Sequence, residues 1–386
     1  MSLKVAVFTG TRAEYGLLYW LLSDLKASAS FDLQLIVGAM HLSPEFGETW
    51  RQIEQDGFTI DAKVEMLLSS DTRVGVVKSV GLGAIGFADA LDRLKPDLLV
   101  ILGDRFEALS IAQAALLMSI PIAHLHGGEI TEGAYDDAIR HAISKMAKLH
   151  FVATETYRKR VIQLGESPDR VHTVGALGLD HLRRTTVMDR ASLSESLGFE
   201  LSKPFLLVTY HPVTAEGEDS IEGFEALLLA LDQFPSYQVI LTYPNADNGG
   251  RTIIPRLEAY AAKDAERVLA IPSLGMKRYI AALTYASAVV GNSSSGIIEA
   301  PSFSVPTLNI GTRQKGRIAA ESVFHCESTP NAIIQGLREV LSQRTADRCR
   351  SVSNPYGSGH ASQSILHVLG TFDGNPHKTF HDVEFI

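Results

Sequence analysis

Residues 288–300, Ala-Val-Val-Gly-Asn-Ser-Ser-Ser-Gly-Ile-Ile-Glu-Ala, pass from an apolar run through small hydroxyl-bearing residues into a helical pattern from about Gly296. The free N–H groups and positive dipole end of a helix bind anions, and Gly with Ser lets a diphosphate approach the main chain. Glu299, about one helical turn further on, is placed to accept hydrogen bonds from a ribose. A second turn of this type lies near the amino terminus. There residues 4–8 lead through Thr9-Gly10-Thr11-Arg12-Ala13-Glu14-Tyr15-Gly16 into a helical pattern over 17–25. Arg12, at the end of a strand and the start of a helix, reads as a phosphate ligand. Serine-rich turns also serve simply as helix caps, so the reading rests on the two turns together.

Such turns need a scaffold that presents them. Apolar runs at 4–8, 33–37, 97–102, 122–125 and 150–153, and again at 205–210, 238–243, 268–271, 288–290 and 307–310, alternate with helical patterns. This predicts an α/β protein of two facing Rossmann-like domains, parallel sheets with helices on both faces. A chain of 386 residues exceeds what one core usually supports. The stretch 175–180 is the expected boundary, giving domains 1–175 and 176–360, with a helix over 361–369 and a polar tail to 386 returning to the first. Ligands of open parallel sheets sit beyond the carboxyl ends of the strands. The residues there are Arg12, His41, Gly103-Asp104-Arg105 and the block from His124 to Glu129, then His211, Asn245, Ser273, Ser293 to Ser295, and Arg313. Nearly all are polar and several ionise, which a purely structural sheet does not need.

Composition excludes some partners. With 45% apolar and 20% charged residues and a net charge of −9, the chain is suited neither to nucleic acid nor to an anionic membrane. An anionic substrate must then be held by local arginines and helix ends. The only cysteines are Cys326 and Cys349, without a CxxC pair, so neither a disulfide framework nor a zinc ribbon is expected. No signal peptide and no apolar stretch of membrane-spanning length is expected, which points to the cytoplasm.

Taken in order, several blocks resemble one family. They are Thr-Arg-Ala-Glu-Tyr-Gly at 11–16, Gly-Asp-Arg-Phe-Glu-Ala-Leu at 103–109, His-Gly-Gly-Glu at 126–129, Asp-Asp-Ala-Ile-Arg-His-Ala-Ile at 136–143, and His-Pro-Val-Thr at 211–214. Pro-Asn-Ala-Asp at 244–247, Gly-Asn-Ser-Ser-Ser-Gly at 291–296 and Gly-Thr-Arg-Gln-Lys-Gly-Arg at 311–317 complete the set. The sequence resembles the UDP-N-acetylglucosamine 2-epimerases, in particular the hydrolysing branch that feeds sialic-acid synthesis. The resemblance implies a GT-B-like pair of domains with UDP held mostly by the second. Ser293 and Ser294 would contact the diphosphate, Glu299 the ribose, and His211, Arg12 and Arg313 the phosphates. Asn245 and Ser273 would surround nucleoside and sugar, and Arg105 would join the substrate-binding set.

The reaction the resemblance implies is anti elimination of UDP to a 2-acetamidoglucal, then addition of water with C2 reprotonated on the opposite face. It requires no cofactor. It does require acid and base groups on opposite faces of the sugar, and Asp104, His126, Glu129, Asp136 and His211 are the candidates, with Asp137 beside Asp136. Asp104 also reads as a helix cap. One departure matters: some hydrolysing members of the family and the non-hydrolysing branch carry a glutamate where this chain has His126, and the loop to Asp136 is one residue longer. Either His126 or Glu129 must therefore take that role; the expected substrate is UDP-N-acetylglucosamine, giving N-acetylmannosamine and UDP, with UDP-N,N'-diacetylbacillosamine as the alternative. Partners implied are the UDP-sugar, the UDP product and further copies of the chain, as a homodimer or homotetramer. Competing readings are a metal-dependent hydrolase using His124, His126, His141, His150 and Asp136, an inactive UDP-sugar sensor, and a glycosyltransferase of the same fold class.

Overall fold

The computed structural model describes residues 2–70, 72–131, 135–212, 219–244 and 250–384. Seven strands form the first sheet: β1 (Leu3–Thr9), β2 (Phe31–Gly38), β3 (Ala62–Val64), β4 (Leu98–Leu102), β5 (Ile122–Leu125), β6 (Leu149–Val152) and β7 (Val171–Thr173). Six form the second: β8 (Phe205–Thr209), β9 (Gln238–Thr242), β10 (Val268–Ile271), β11 (Ala288–Gly291), β12 (Thr307–Ile310) and β13 (Val323–Cys326). Every pairing is parallel. The orders are β3-β2-β1-β4-β5-β6-β7 and β10-β9-β8-β11-β12-β13. The α/β expectation thus holds for both halves, each wound as a Rossmann-like sheet. Strand order reverses between β1 and β4 and between β8 and β11, where such sheets open a crevice for ligands.

One compact unit holds the described residues to Ile130, then Tyr135 to Asp180, and resumes at Gly359; the other runs from His181 to Ser358. In the first, the helix Arg12–Ala27 buries Leu18, Leu21, Leu22 and Leu25 on one face of the sheet. Ala361, Ile365 and Leu369 of the helix Ala361–Leu369 join that core. Asp180 fixes the start of this last helix, its carboxylate accepting from the Ala361 and Ser362 amides at 2.8 and 2.7 Å. The opposite face is covered by Phe87 and Leu91 of the helix Arg73–Leu94 and by Ala108, Ile111 and Ala115 of the helix Phe106–Leu117. The second sheet is likewise sandwiched, by Phe224, Leu257 and Leu337 on one side and Leu193, Ala281 and Leu283 on the other.

Arg73–Leu94 corrects one expectation. At 22 residues it is long and apolar enough by composition to cross a membrane. Glycine and alanine spread through it hide the run from inspection, because apolar character lies on both of its faces. Phe87, Ala90 and Leu91 meet the sheet, while Val77 and Ile85 remain exposed at 71% and 67%.

Candidate active site

In the first unit the β1 turn is built by a capping box. Thr11 Oγ1 accepts from the Glu14 amide at 3.2 Å, and Glu14 Oε2 accepts from the amides of Gly10 and Thr11 at 2.7 and 3.2 Å. Arg12 is the first residue of the helix and is exposed. Beneath it, burial and the neighbouring Glu107 carboxylate push the Glu14 carboxyl up to about 7. Glu107 is wholly buried, and its Oε1 receives Arg105 Nε at 2.7 Å. His41, after β2, is also wholly buried, with Nε2 3.1 Å from Thr9 Oγ1 and Nδ1 2.7 Å from Thr49 Oγ1. Burial lowers it to about 4, so it is a neutral bridge.

The β4 turn carries Asp104. Arg105, not Asp104, occupies the cap position of the helix Phe106–Leu117, and it makes no side-chain cap. Asp104 is instead ion-paired through Oδ2 with Nη2 of Arg140. Arg140 is buried on the helix Tyr135–Met146 and is a hub: its Nη1 donates to the Glu129 carbonyl at 2.9 Å and to Asp137 Oδ1 at 3.4 Å. The structure therefore brings the Asp104 and Asp137 carboxylates and the Glu129 main-chain carbonyl to one guanidinium, and Asp136 adjoins Asp137 on the first turn of that helix.

His126 holds a left-handed backbone with φ of 62°, a conformation that costs a non-glycine residue energy and concentrates at functional sites. Its Nε2 accepts from the Leu177 amide at 3.4 Å, which leaves Nδ1 as the donor to Glu129 Oε1 at 2.9 Å. His126 and Glu129 thus form one hydrogen-bonded pair with little exposure. The two candidates for that acid–base role are thus coupled to each other.

In the second unit the two turns at the strand-order reversal are joined by a single side chain. Asn292, buried after β11, accepts the His211 amide on Oδ1 at 2.7 Å and donates from Nδ2 to the His211 carbonyl at 2.8 Å. Its own carbonyl receives Arg313 Nη1 at 3.1 Å and Gln314 Nε2 at 2.8 Å. Gly291 makes this approach possible: at φ 129° a Cβ there would collide with the Thr209 carbonyl. Burial, then the nearby Arg313 charge, push His211 down to about 3, so it presents a neutral imidazole beside a guanidinium.

The serine turn differs from its expected form. The helix begins at Ser295 and ends at Ile298, because Pro301 diverts the chain into the 3-10 turn Ala300–Phe303. Ser294 makes no side-chain cap, so the serines are not there to close a long helix. Glu299 follows directly. Ser273 lies exposed after β10, its Oγ accepting from the Gly275 amide at 3.2 Å. Asn245 lies outside the described residues. The histidines a metal reading would use are directed to other partners: His124 to Gly103 and Ser144, His150 to Glu166, and His141 to Asp137. Among the described residues no group of three His, Cys, Asp or Glu side chains is placed to hold a metal ion. Sequence reading did not single out Arg140, Asn292, Glu14 or Glu107 as site residues; only Glu14 carries a local signal, the Thr-x-x-Glu of its capping box.

Residues 23–370 match the family described as UDP-N-acetylglucosamine 2-epimerase. A GDP/UDP-N,N'-diacetylbacillosamine 2-epimerase (hydrolyzing) of Campylobacter jejuni is 41% identical over 324 residues, 84% of each chain. The polysialic acid biosynthesis protein P7 of Escherichia coli is 36% identical over 98% of this chain and 96% of its own. Among solved structures, the Neisseria meningitidis UDP-GlcNAc 2-epimerase bound to UDP-GlcNAc superposes with a TM-score of 0.80 at 19% identity, covering 95% of this chain and 99% of that one. The strand orders, the two sets of strand-end turns and these matches lead to one conclusion: the chain belongs to the UDP-N-acetylglucosamine 2-epimerase family, in its hydrolysing branch.

Proposed function

We propose that the protein converts a UDP-2-acetamido sugar and water into the free 2-epimeric sugar and UDP. The observation that carries this reading is the pairing of the Asp104 and Asp137 carboxylates with Arg140, which also holds the Glu129 main-chain carbonyl while the Glu129 carboxylate pairs with His126, at the carboxyl ends of β4 and β5. Nothing in the packing of that sheet requires these ionisable groups there. In this reading one group takes the C2 proton while the C1–O bond to UDP breaks, and the electron pair of the C2–H bond becomes the glucal double bond. Water then adds its hydroxyl to C1 and gives up its other proton to a basic group of the site or to solvent, while a second group delivers a proton to the opposite face of C2. Asp104, paired with Arg140, is the candidate base, and the His126–Glu129 pair supplies the other proton-transfer group.

The nucleotide end belongs, in this reading, to the second unit: Ser293, Ser294, Arg313 and neutral His211 take the diphosphate, and Glu299 takes the ribose. For the sugar, relatives support the diacetylated bacillosamine derivative first, through the 41% identical Campylobacter jejuni enzyme. UDP-N-acetylglucosamine is second, supported by the 31% identical Neisseria meningitidis enzyme over 88% of this chain. Two unpaired cysteines are consistent with work in the cytoplasm.

Offering each nucleotide sugar separately in D2O tests both levels of the reading. The preferred sugar should release UDP faster, and the free product should carry one deuterium at C2. A product that keeps its UDP, or lacks C2 deuterium, overturns the elimination–hydration route.

A further inference from the structure

We propose that His124 is a positioning residue that locks together the three segments carrying the acid–base groups: the Gly103–Asp104 turn, the His126–Glu129 loop and the helix Tyr135–Met146. The inference rests on the functional reading above. His124 is the third residue of β5, opposite Ile101 of β4 and His150 of β6, and it is wholly buried. Its Nε2 lies 2.7 Å from the Gly103 carbonyl. A carbonyl only accepts, so Nε2 carries the proton. Gly103 stands at φ 79°, and its carbonyl belongs to the peptide plane shared with the Asp104 amide. Gripping that oxygen fixes the direction in which Asp104 leaves the strand.

With Nε2 protonated, Nδ1 is the acceptor, and Ser144 Oγ reaches it at 3.0 Å. Ser144 is fully buried one helical turn after Arg140, so the same ring sets the depth of the helix that bears the Arg140 hub. The third segment rests on this pair directly. A Cβ on Gly127 would stand 2.8 Å from Ser144 Oγ and 3.1 Å from His124 Nδ1, so the backbone between His126 and Glu129 lies against them. An aliphatic residue at 124 would fill the space but leave the Gly103 carbonyl and the Ser144 hydroxyl buried without a partner. Burial, with His150, His126 and His141 as neighbours disfavouring a further positive charge, holds the ring down to about 3. His124 therefore keeps one protonation state throughout the working range and moves no proton itself.

The test compares wild type, His124→Leu and Ser144→Ala by UDP release, by calorimetric UDP affinity and by pH–rate profile. For His124→Leu kcat should fall about 100-fold, and for Ser144→Ala about tenfold, the scale expected when catalytic groups are displaced by an ångström or less. UDP affinity should stay within about threefold in both. The inflections of the pH profile should be unchanged, and the 15N signals of the ring should show one Nε2–H tautomer that does not titrate from about pH 5 to 9. Retention of kcat within about threefold in both variants overturns the proposal. So does a titrating ring, or an inflection lost from the profile, either of which would make His124 a proton-transfer group. Should His124→Leu fail to fold, Ser144→Ala and Gly127→Ala, which presses a methyl into the pair, decide by the same readouts. A wild type that releases no UDP from either nucleotide sugar defeats the functional reading instead, and the ring titration still judges His124.

Discussion

The Asn292 carboxamide clasps the main chain of His211, receiving its amide at 2.7 Å and donating to its carbonyl at 2.8 Å, across 81 residues of sequence. Both partners are buried, so neither group of His211 has water to fall back on. Asn292→Ala should leave both unsatisfied and cost about 2 to 4 kcal/mol of stability. UDP affinity should drop with it by at least about tenfold, because His211 and the Arg313 side chain that also rests on Asn292 shift together. Calorimetry with UDP checks this, and an unchanged affinity would place the nucleotide elsewhere.

Asp104 gives a contrasting expectation. Its carboxylate pairs with Arg140, and the cap position of the helix Phe106–Leu117 is Arg105, so Asp104→Asn keeps the shape and removes the charge. Turnover should fall by roughly two orders of magnitude or more while UDP affinity stays within a few-fold. A variant that turns over within about tenfold of wild type takes Asp104 out of proton transfer.

How far the sequence discloses this site depends on range. The nine interior strands are legible as apolar runs, because strands of a parallel sheet are buried on both faces, and the short apolar edge strand β10 reads the same way. The edges β3, β7 and β13 are not: Ala62-Lys63-Val64 and Val171-His172-Thr173 are three residues long and mix polar with apolar side chains. Asp104, His126 and His211 are legible because they follow strands directly. Arg140 is not, since its partner lies 36 residues away and only the sheet order brings the two together. Asn292 reads locally as one more small polar residue in a serine turn, and its role exists only because β8 and β11 are neighbours.

Acid should expose the buried histidines. Burial lowers His41 to about 4, and burial foremost lowers His124 and His211 to about 3, each below the ordinary value of 6.5. A depressed folded value means stability that is fully present above 6.5 and is lost as pH falls, because the unfolded chain takes up protons the folded one refuses. Glu14 acts oppositely: raised from 4.5 to about 7, it stabilises at low pH and loses that contribution as pH rises through 7. His141, His150, His172 and His325 are lowered as well, so the histidines together outweigh Glu14 and the folded state is weaker at pH 5 than at pH 7. Urea unfolding at the two pH values should show it, with His41→Gln flattening the difference by about 2 kcal/mol. Equal stability at both would mean the histidines are solvated.

The last expectation concerns self-association. On the helix Arg73–Leu94, Val74, Val77 and Ile85 are exposed at 64%, 71% and 67%, and Leu117 of the adjoining helix Phe106–Leu117 at 84%. Gly81 sits among them in mid-helix with nothing near its missing side chain, a placement that costs about 1 kcal/mol relative to alanine in an isolated helix. A second copy of the same face would cover the apolar side chains and use the flat spot at Gly81 for close helix approach, as a two-fold interface requires. Light scattering should therefore give a dimer or a multiple of it for the wild type. Ile85→Asp should shift it toward monomer while UDP affinity in the second unit stays within about twofold, since the two features lie in different units and do not share partners. A monomeric wild type at micromolar concentration, or an Ile85→Asp chain that associates as before, would assign this face to another occupant.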